Sequence, residues 1–238
     1  MNALYPKNRP MNPKTLLCLL TVFLHFYAKG SPTTSFLLSE HIDIYGNVLA
    51  HFDDNDNCVY LHQNGIVDNH GIKIGELGNK IDLSMILDRK LQKSSIAAKK
   101  ISNHSTIFKY LSFSILSKTN GVWDLKNNKS TIWGVAWNHD QIFGTKTVFT
   151  SDLFNNASAA DIGNFHYGFV GTKADFGRSM LLFAAGAAEV WKSLKERNPN
   201  FRERLFQLLN PACEISGDNP SDYFFDTMGI RYATTCSL

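Results

Sequence analysis

The sequence predicts an α+β fold, mainly helical around a buried central helix, with a small β-hairpin-rich region ahead of it. Three observations carry this. Across residues 31–78, short β-type runs alternate with turn signals. Across residues 79–118, Ile81, Met85, Ile86, Leu91, Ile96, Ile101, Ile107, Leu111 and Ile115 recur at intervals near three and four, the period of amphipathic helices. Residues 179–191 read as one strongly apolar helix whose run Ala184-Ala185-Gly186-Ala187-Ala188 lets neighbours approach closely, so this helix is expected as the buried axis. With 238 residues, 44% of them hydrophobic, there is material for one sizeable core.

The first thirty residues stand apart. Lys7, Arg9 and Lys14 precede the apolar run 16–26, which is broken only by Thr21 and His25, and Ala28-Lys29-Gly30 follows. That order predicts a signal peptide over residues 1–30, and hence a secreted or periplasmic protein. The run is shorter than the roughly 20 residues a spanning helix needs, so no stable membrane insertion is expected after signal removal. Removal leaves 20 Lys and Arg against 21 Asp and Glu, a net charge of −1. Such a balance lacks the basic excess of a phosphate-tracking protein. An oxidising compartment permits disulfides, and Cys213 and Cys236 are expected to pair, leaving Cys58 free. The cysteine spacing fits no zinc pattern, and no metal or cofactor is expected.

Residues 41–45 and 48–52, joined by Gly46-Asn47, predict a hairpin, and residues 59–62 a further strand. The acidic stretch 53–57 lacks the glycine and the terminal glutamate of a calcium loop, so it reads as a solvated turn. Thr119-Asn120-Gly121 breaks the helical pattern. Residues 131–149, with Trp133, Val135, Trp137 and Phe143, suggest short strands or an aromatic-lined insertion. There Trp133, Trp137 and His139 could line a groove for sugar rings or bases, or simply fill the core.

Residues 161–171 hold Gly163, Gly168 and Gly171 among aromatics, with Asp161, Asn164 and His166 near at hand, and read as a turn serving a site. A helix over about 201–209 ends at Asn210-Pro211. A second polar turn, Gly217-Asp218-Asn219-Pro220, leads into a short helix from Ser221 to about Met228, which Asp218 or Ser221 could cap. Asp218 reads equally well as a cap or as a catalytic acid. The two polar turns are expected to wall one cleft.

In order, Asn120-Gly121-Val122-Trp123-Asp124-Leu125-Lys126, residues 161–171, Ala185-Gly186 and Gly217-Asp218-Asn219-Pro220-Ser221-Asp222-Tyr223-Phe224 resemble the landmarks of the bacterial polymorphic toxin type 44 domain, over about residues 85–235. Residues 45–54 resemble the strand-turn units that precede the toxic part of such proteins. The division this implies is a signal peptide at 1–30, a β-rich connecting region at 31–80 and the toxin-like domain at 81–238. Two departures stand out: the family usually carries two consecutive acids where Asp218-Asn219 stands, and often has Asn at the His166 position. The resemblance implies a toxin used against competing bacteria and countered by a cognate immunity protein.

It does not fix the chemistry. Asp161, Asp218 and Asp222, with His166, are the candidate catalytic residues, and Asn164, Tyr167, Trp123 and Asp124 the candidates for holding substrate. Paired carboxylates are the usual equipment of glycoside hydrolysis, so the first expectation is a hydrolase of cell-wall glycan. The alternative is an RNase with His166 as general base; a non-enzymatic binding protein comes third.

Overall fold

The computed structural model describes residues 38–210, 213 and 217–236. The signal peptide expected at residues 1–30 lies outside them. The described residues form one compact unit.

Six short strands make one mixed sheet in the order β2-β1-β3-β4-β5-β6. The hairpin expected at residues 41–52 is there: β1 (Ser39–Ile42) runs antiparallel to β2 (Val48–Phe52). Its turn is fixed by Asp43, whose Oδ1 accepts the amides of Tyr45 and Asn47, both at 2.8 Å, and by Gly46 in the left-handed region at φ 72°. β3 (Cys58–Leu61) lies parallel to β1, and β4 (Ile72–Glu76) and β5 (Lys80–Asp82) continue as an antiparallel meander. The acidic turn before β3 is tied to β1, since the Asp54 carboxylate accepts the Ser39 hydroxyl at 2.6 Å and its amide at 3.2 Å. The sixth strand, β6 (Val148–Thr150), comes from well beyond the N-terminal region and pairs in parallel with β5.

α1 (Leu87–Ser102) and α2 (Thr106–Ser117) match the expected helical period; α1 buries Leu87, Leu91, Ser94, Ala98 and Ile101, one face at steps of three and four. Residues 131–149 differ from expectation, being mostly α3 (Ile132–Phe143). Thr131 caps it by accepting the Gly134 amide, and Gly144 ends it in the left-handed region at φ 64°. Its buried residues Ile132, Trp133, Ala136 and His139 follow the helical spacing, which a short strand reading of the aromatics overlooked. Trp133 is completely buried and lines no groove.

The largest correction concerns residues 161–171, which are not a turn but the middle of α4 (Ala159–Lys173). Glycine weakens a helix by roughly 0.5–1 kcal/mol relative to alanine, so three of them need a compensating gain. The gain is close packing against α7 (Pro220–Thr235). A Cβ on Gly168 would lie 2.2 Å from the Asp226 carbonyl oxygen, and one on Gly229 would lie 2.0 Å from the Phe165 carbonyl oxygen. Each helix therefore presses its backbone onto the other through a reciprocal glycine. α4 buries Ala159, Ile162, Phe165, His166, Gly168, Phe169, Val170 and Gly171 and is the central helix.

α5 (Arg178–Lys195), expected as that axis, is instead amphipathic: Leu181, Leu182, Gly186, Val190 and Ser193 are buried, whereas Ala188, Lys192, Leu194 and Lys195 are exposed. α6 (Phe201–Leu209) follows it. α7 is longer than expected, with Pro220 at its first turn and the Asn219 side chain, rather than Ser221 or Asp218, accepting the Ser221 amide at 3.0 Å. Cys213 and Cys236 are not bridged; both thiols are free. Cys236 lies at the C-terminal end of α7 and Cys213 ahead of its N-terminal end.

Candidate active site

Asp218 lies in the turn before α7, Asp222 in its first turn and Asp226 one turn further on. The spacing of four between Asp222 and Asp226 puts both on one helix face. Asp218 and Asp226 are both buried, at 5% and 3% exposure, and their carboxyl groups interact directly. One oxygen of Asp218, Oδ1, accepts the Asn219 amide at 2.8 Å, while Oδ2 faces no hydrogen-bond donor. Two carboxyl groups can bond to each other only through a shared proton. Burial, reinforced by the neighbouring carboxylates, raises Asp218 from 3.8 to about 7 and holds Asp226 well above its ordinary value. The pair therefore keeps a proton near neutral pH.

Other elements bring further groups to this pair. From α4, Tyr167 feels the charge of Asp226 and Asp218, and its hydroxyl donates to the Leu181 carbonyl at 3.1 Å. Also from α4, the Asn164 amide favours the charged form of Asp222. Burial pushes the Asp222 carboxyl up, while Lys126, which packs over Gly163 of α4, pulls it down. From α5, Glu189 adds negative charge that acts on both Asp218 and Asp222. Glu189 is itself ion-paired with Arg204 of α6 and lies 3.7 Å from Lys192. The result is a carboxylate group with a basic margin. Among the described residues no three His, Cys, Asp or Glu side chains are placed to hold a metal ion.

Of the eight residues singled out from the sequence, four meet here: Asp218, Asp222, Asn164 and Tyr167. The others stand in different surroundings. Asp161 forms a capping box with Ser158, accepting the Ser158 amide at 2.8 Å and hydroxyl at 2.7 Å while its own amide donates back at 3.2 Å. His166 is buried with both ring nitrogens engaged, Nδ1 donating to the Trp123 carbonyl at 3.3 Å and Nε2 accepting the Ser94 hydroxyl at 2.9 Å. A carbonyl can only accept, which fixes that tautomer. Burial and the charge of Lys90 lower its pKa to about 3, so the ring is neutral at pH 7. The Trp123 ring packs edge-on against Phe113, and Asp124 organises its own loop by accepting from the Asn120 amide and the Asn127 side chain.

Asp226, Glu189, Lys126 and Arg204 were not anticipated. The repeat Asp218-x3-Asp222-x3-Asp226 could have revealed Asp226, since the helix expected from Ser221 to about Met228 already puts Asp222 and Asp226 on one face. Glu189, Lys126 and Arg204 carry no such local signal, since they reach the group from separate elements.

Fold and site together define a mainly helical α+β domain built around a buried, proton-retaining group of carboxylates. The chain belongs to the bacterial toxin 44 family, whose family model matches residues 112–235. That span takes in every residue of the carboxylate group, and the protein is accordingly a bacterial toxin effector. No curated protein and no solved structure matches it.

Proposed function

We propose that this toxin is a hydrolase of bacterial cell-wall glycan, secreted or periplasmic, with Asp218 and Asp222 as its acid and base. The observation that supports the reading is the Asp218–Asp226 pair, a carboxyl group that stays protonated near pH 7 beside a more accessible carboxylate. Glycoside hydrolysis needs that asymmetry: one carboxyl gives its proton to the leaving oxygen, and another takes a proton from water or attacks the anomeric carbon. In this reading Asp218 is the acid, Asp226 holds its proton by sharing it, and Asp222, steadied by Asn164 and Lys126, is the base or nucleophile. The family's antagonistic role adds a cognate immunity protein as partner. An RNase using His166 as base would need a ring nitrogen free to take a proton, and both nitrogens of His166 are engaged in the core.

The test is release of soluble fragments from isolated cell walls by the purified protein. Asp218→Asn and Asp222→Asn should each lower the rate at least a hundredfold, a usual loss when general acid–base catalysis is removed. Degradation of RNA with cell walls left intact would overturn the proposal.

A further inference from the structure

The second helix carries a feature the carboxylate site does not use. One side of α2 is core: Phe113 packs against Trp123, Tyr167 and Phe176 at ring distances of 5.7, 5.6 and 4.7 Å, and Tyr110 meets Phe176 at 5.1 Å. The opposite side is equally apolar yet faces outward, with Ile107 79%, Phe108 63%, Leu111 42% and Ile115 47% exposed. A helix apolar all round belongs in a core or against lipid. Only half of this one is in a core.

Charge narrows the choice of occupant. Between Asp88 and Asp124 the chain has no acidic residue and seven lysines and arginines, although the whole chain carries a net charge of only +3. On α1, Lys93, Ile96 and Lys100 are exposed at the three- and four-residue spacing that puts them on one face. An acid from elsewhere does reach α2, since Asp175 pairs with Lys109 at 3.1 Å. The remaining sign is positive. Apart from Tyr110, whose ring packs against Phe176, the neutral polar groups of α2 are Ser and Thr hydroxyls, few for a protein partner, whose interface usually makes about one hydrogen bond per 100–200 Å². A lipid surface asks for no directional partners; exposed Ile, Leu and Phe beside lysines are what an anionic bilayer interface retains.

We infer that the outer face of α2, with the basic face of α1, docks this toxin on an anionic lipid surface. The contact is peripheral: twelve helical residues rise about 18 Å, short of the roughly 30 Å hydrocarbon core. Among the described residues no helix is long and apolar enough to cross a membrane. The inference stands apart from the glycan reading, since none of its residues belongs to the carboxylate group. The two are nonetheless neighbours, because Phe113 on the inner side of α2 touches the Tyr167 that faces Asp218 and Asp226.

The experiment is co-sedimentation of the full chain with phosphatidylcholine vesicles, with and without 30% phosphatidylglycerol. Binding should favour the anionic vesicles at least tenfold and be lost at high salt. Ile107→Ser/Phe108→Ser should weaken it at least tenfold with an unchanged circular dichroism spectrum. Lys93→Glu/Lys100→Glu should do the same, at about fivefold or more per lysine, and carries the test should the apolar variant fail to fold. Both variants binding like the parent would overturn the proposal and move the contact to another segment, such as residues 16–26. Loss of self-association in the apolar variant, with no preference of the parent for anionic vesicles, would overturn it too and make a second copy the occupant.

Discussion

Replacing Asp218 by Asn should flatten the pH dependence of stability. The parent's Asp218 titrates at about 7 when folded and at about 3.8 when unfolded, so between these values the folded state holds more protons. Stability from this group is fully present below about pH 4 and is lost as pH rises through 7. The shift from 3.8 to about 7 corresponds to at most about 4 kcal/mol, at 1.36 kcal/mol per unit. Asparagine fills the same space, can accept the Asn219 amide and can donate to an ionised Asp226, so the variant keeps the packing without the titration. Thermal melts of both proteins at pH 4.5, 6, 7 and 8 supply the measurement. At roughly 2–4 °C per kcal/mol for a chain of this size, the parent should lose about 10 °C more than Asp218→Asn over that range. Glu40, held up at about 8 by burial, and His166, held down at about 3, act in both proteins and cancel, whereas Asp226, relieved of the Asp218 charge and offered an amide donor, titrates lower in the variant and adds to the flattening. Parallel pH profiles for parent and variant would refute the shared-proton reasoning.

Gly229→Ala places a methyl where 2.0 Å separates it from the Phe165 carbonyl oxygen, so α4 and α7 must part; a loss of about 1–3 kcal/mol or more is expected in urea denaturation. Asp161→Ala removes a capping box and should cost about 1 kcal/mol of stability while activity per folded molecule persists, a result that a catalytic Asp161 would reverse. His166→Asn should likewise keep its activity per folded molecule, assayed on cell walls beside a circular dichroism check, while losing stability because Ser94 and the Trp123 carbonyl lose partners at fixed distance. Hydrolysis of cell walls should decline as pH rises past about 7, the range in which Asp218 gives up its proton, and an alkaline optimum would count against Asp218 as the acid.

Features that depend on local pattern are legible in the residues alone. Three- and four-residue periodicity was enough for α1 and α2, and Gly46-Asn47 between two β-type runs was enough for the existence of the first hairpin, though its first strand ends at Ile42 rather than at residue 45. The order of the landmarks in residues 112–235 was legible in the same way, and with it the family. Whether residues 161–171 turn or continue as a helix depends instead on long-range packing. Glycine disfavours a helix locally, and what overrides that preference is α7, some sixty residues away, whose own Gly229 meets the α4 backbone. The acidity of the site was decided in the same way. Asp218, Asp222 and Asp226 are ordinary aspartates in sequence; their raised pKa values come from burial and from one another, and are tuned by Glu189, Lys126 and Asn164 on other elements. A carboxyl group's proton affinity is set by the dielectric and charge around it, and that surrounding exists only once the helices are packed.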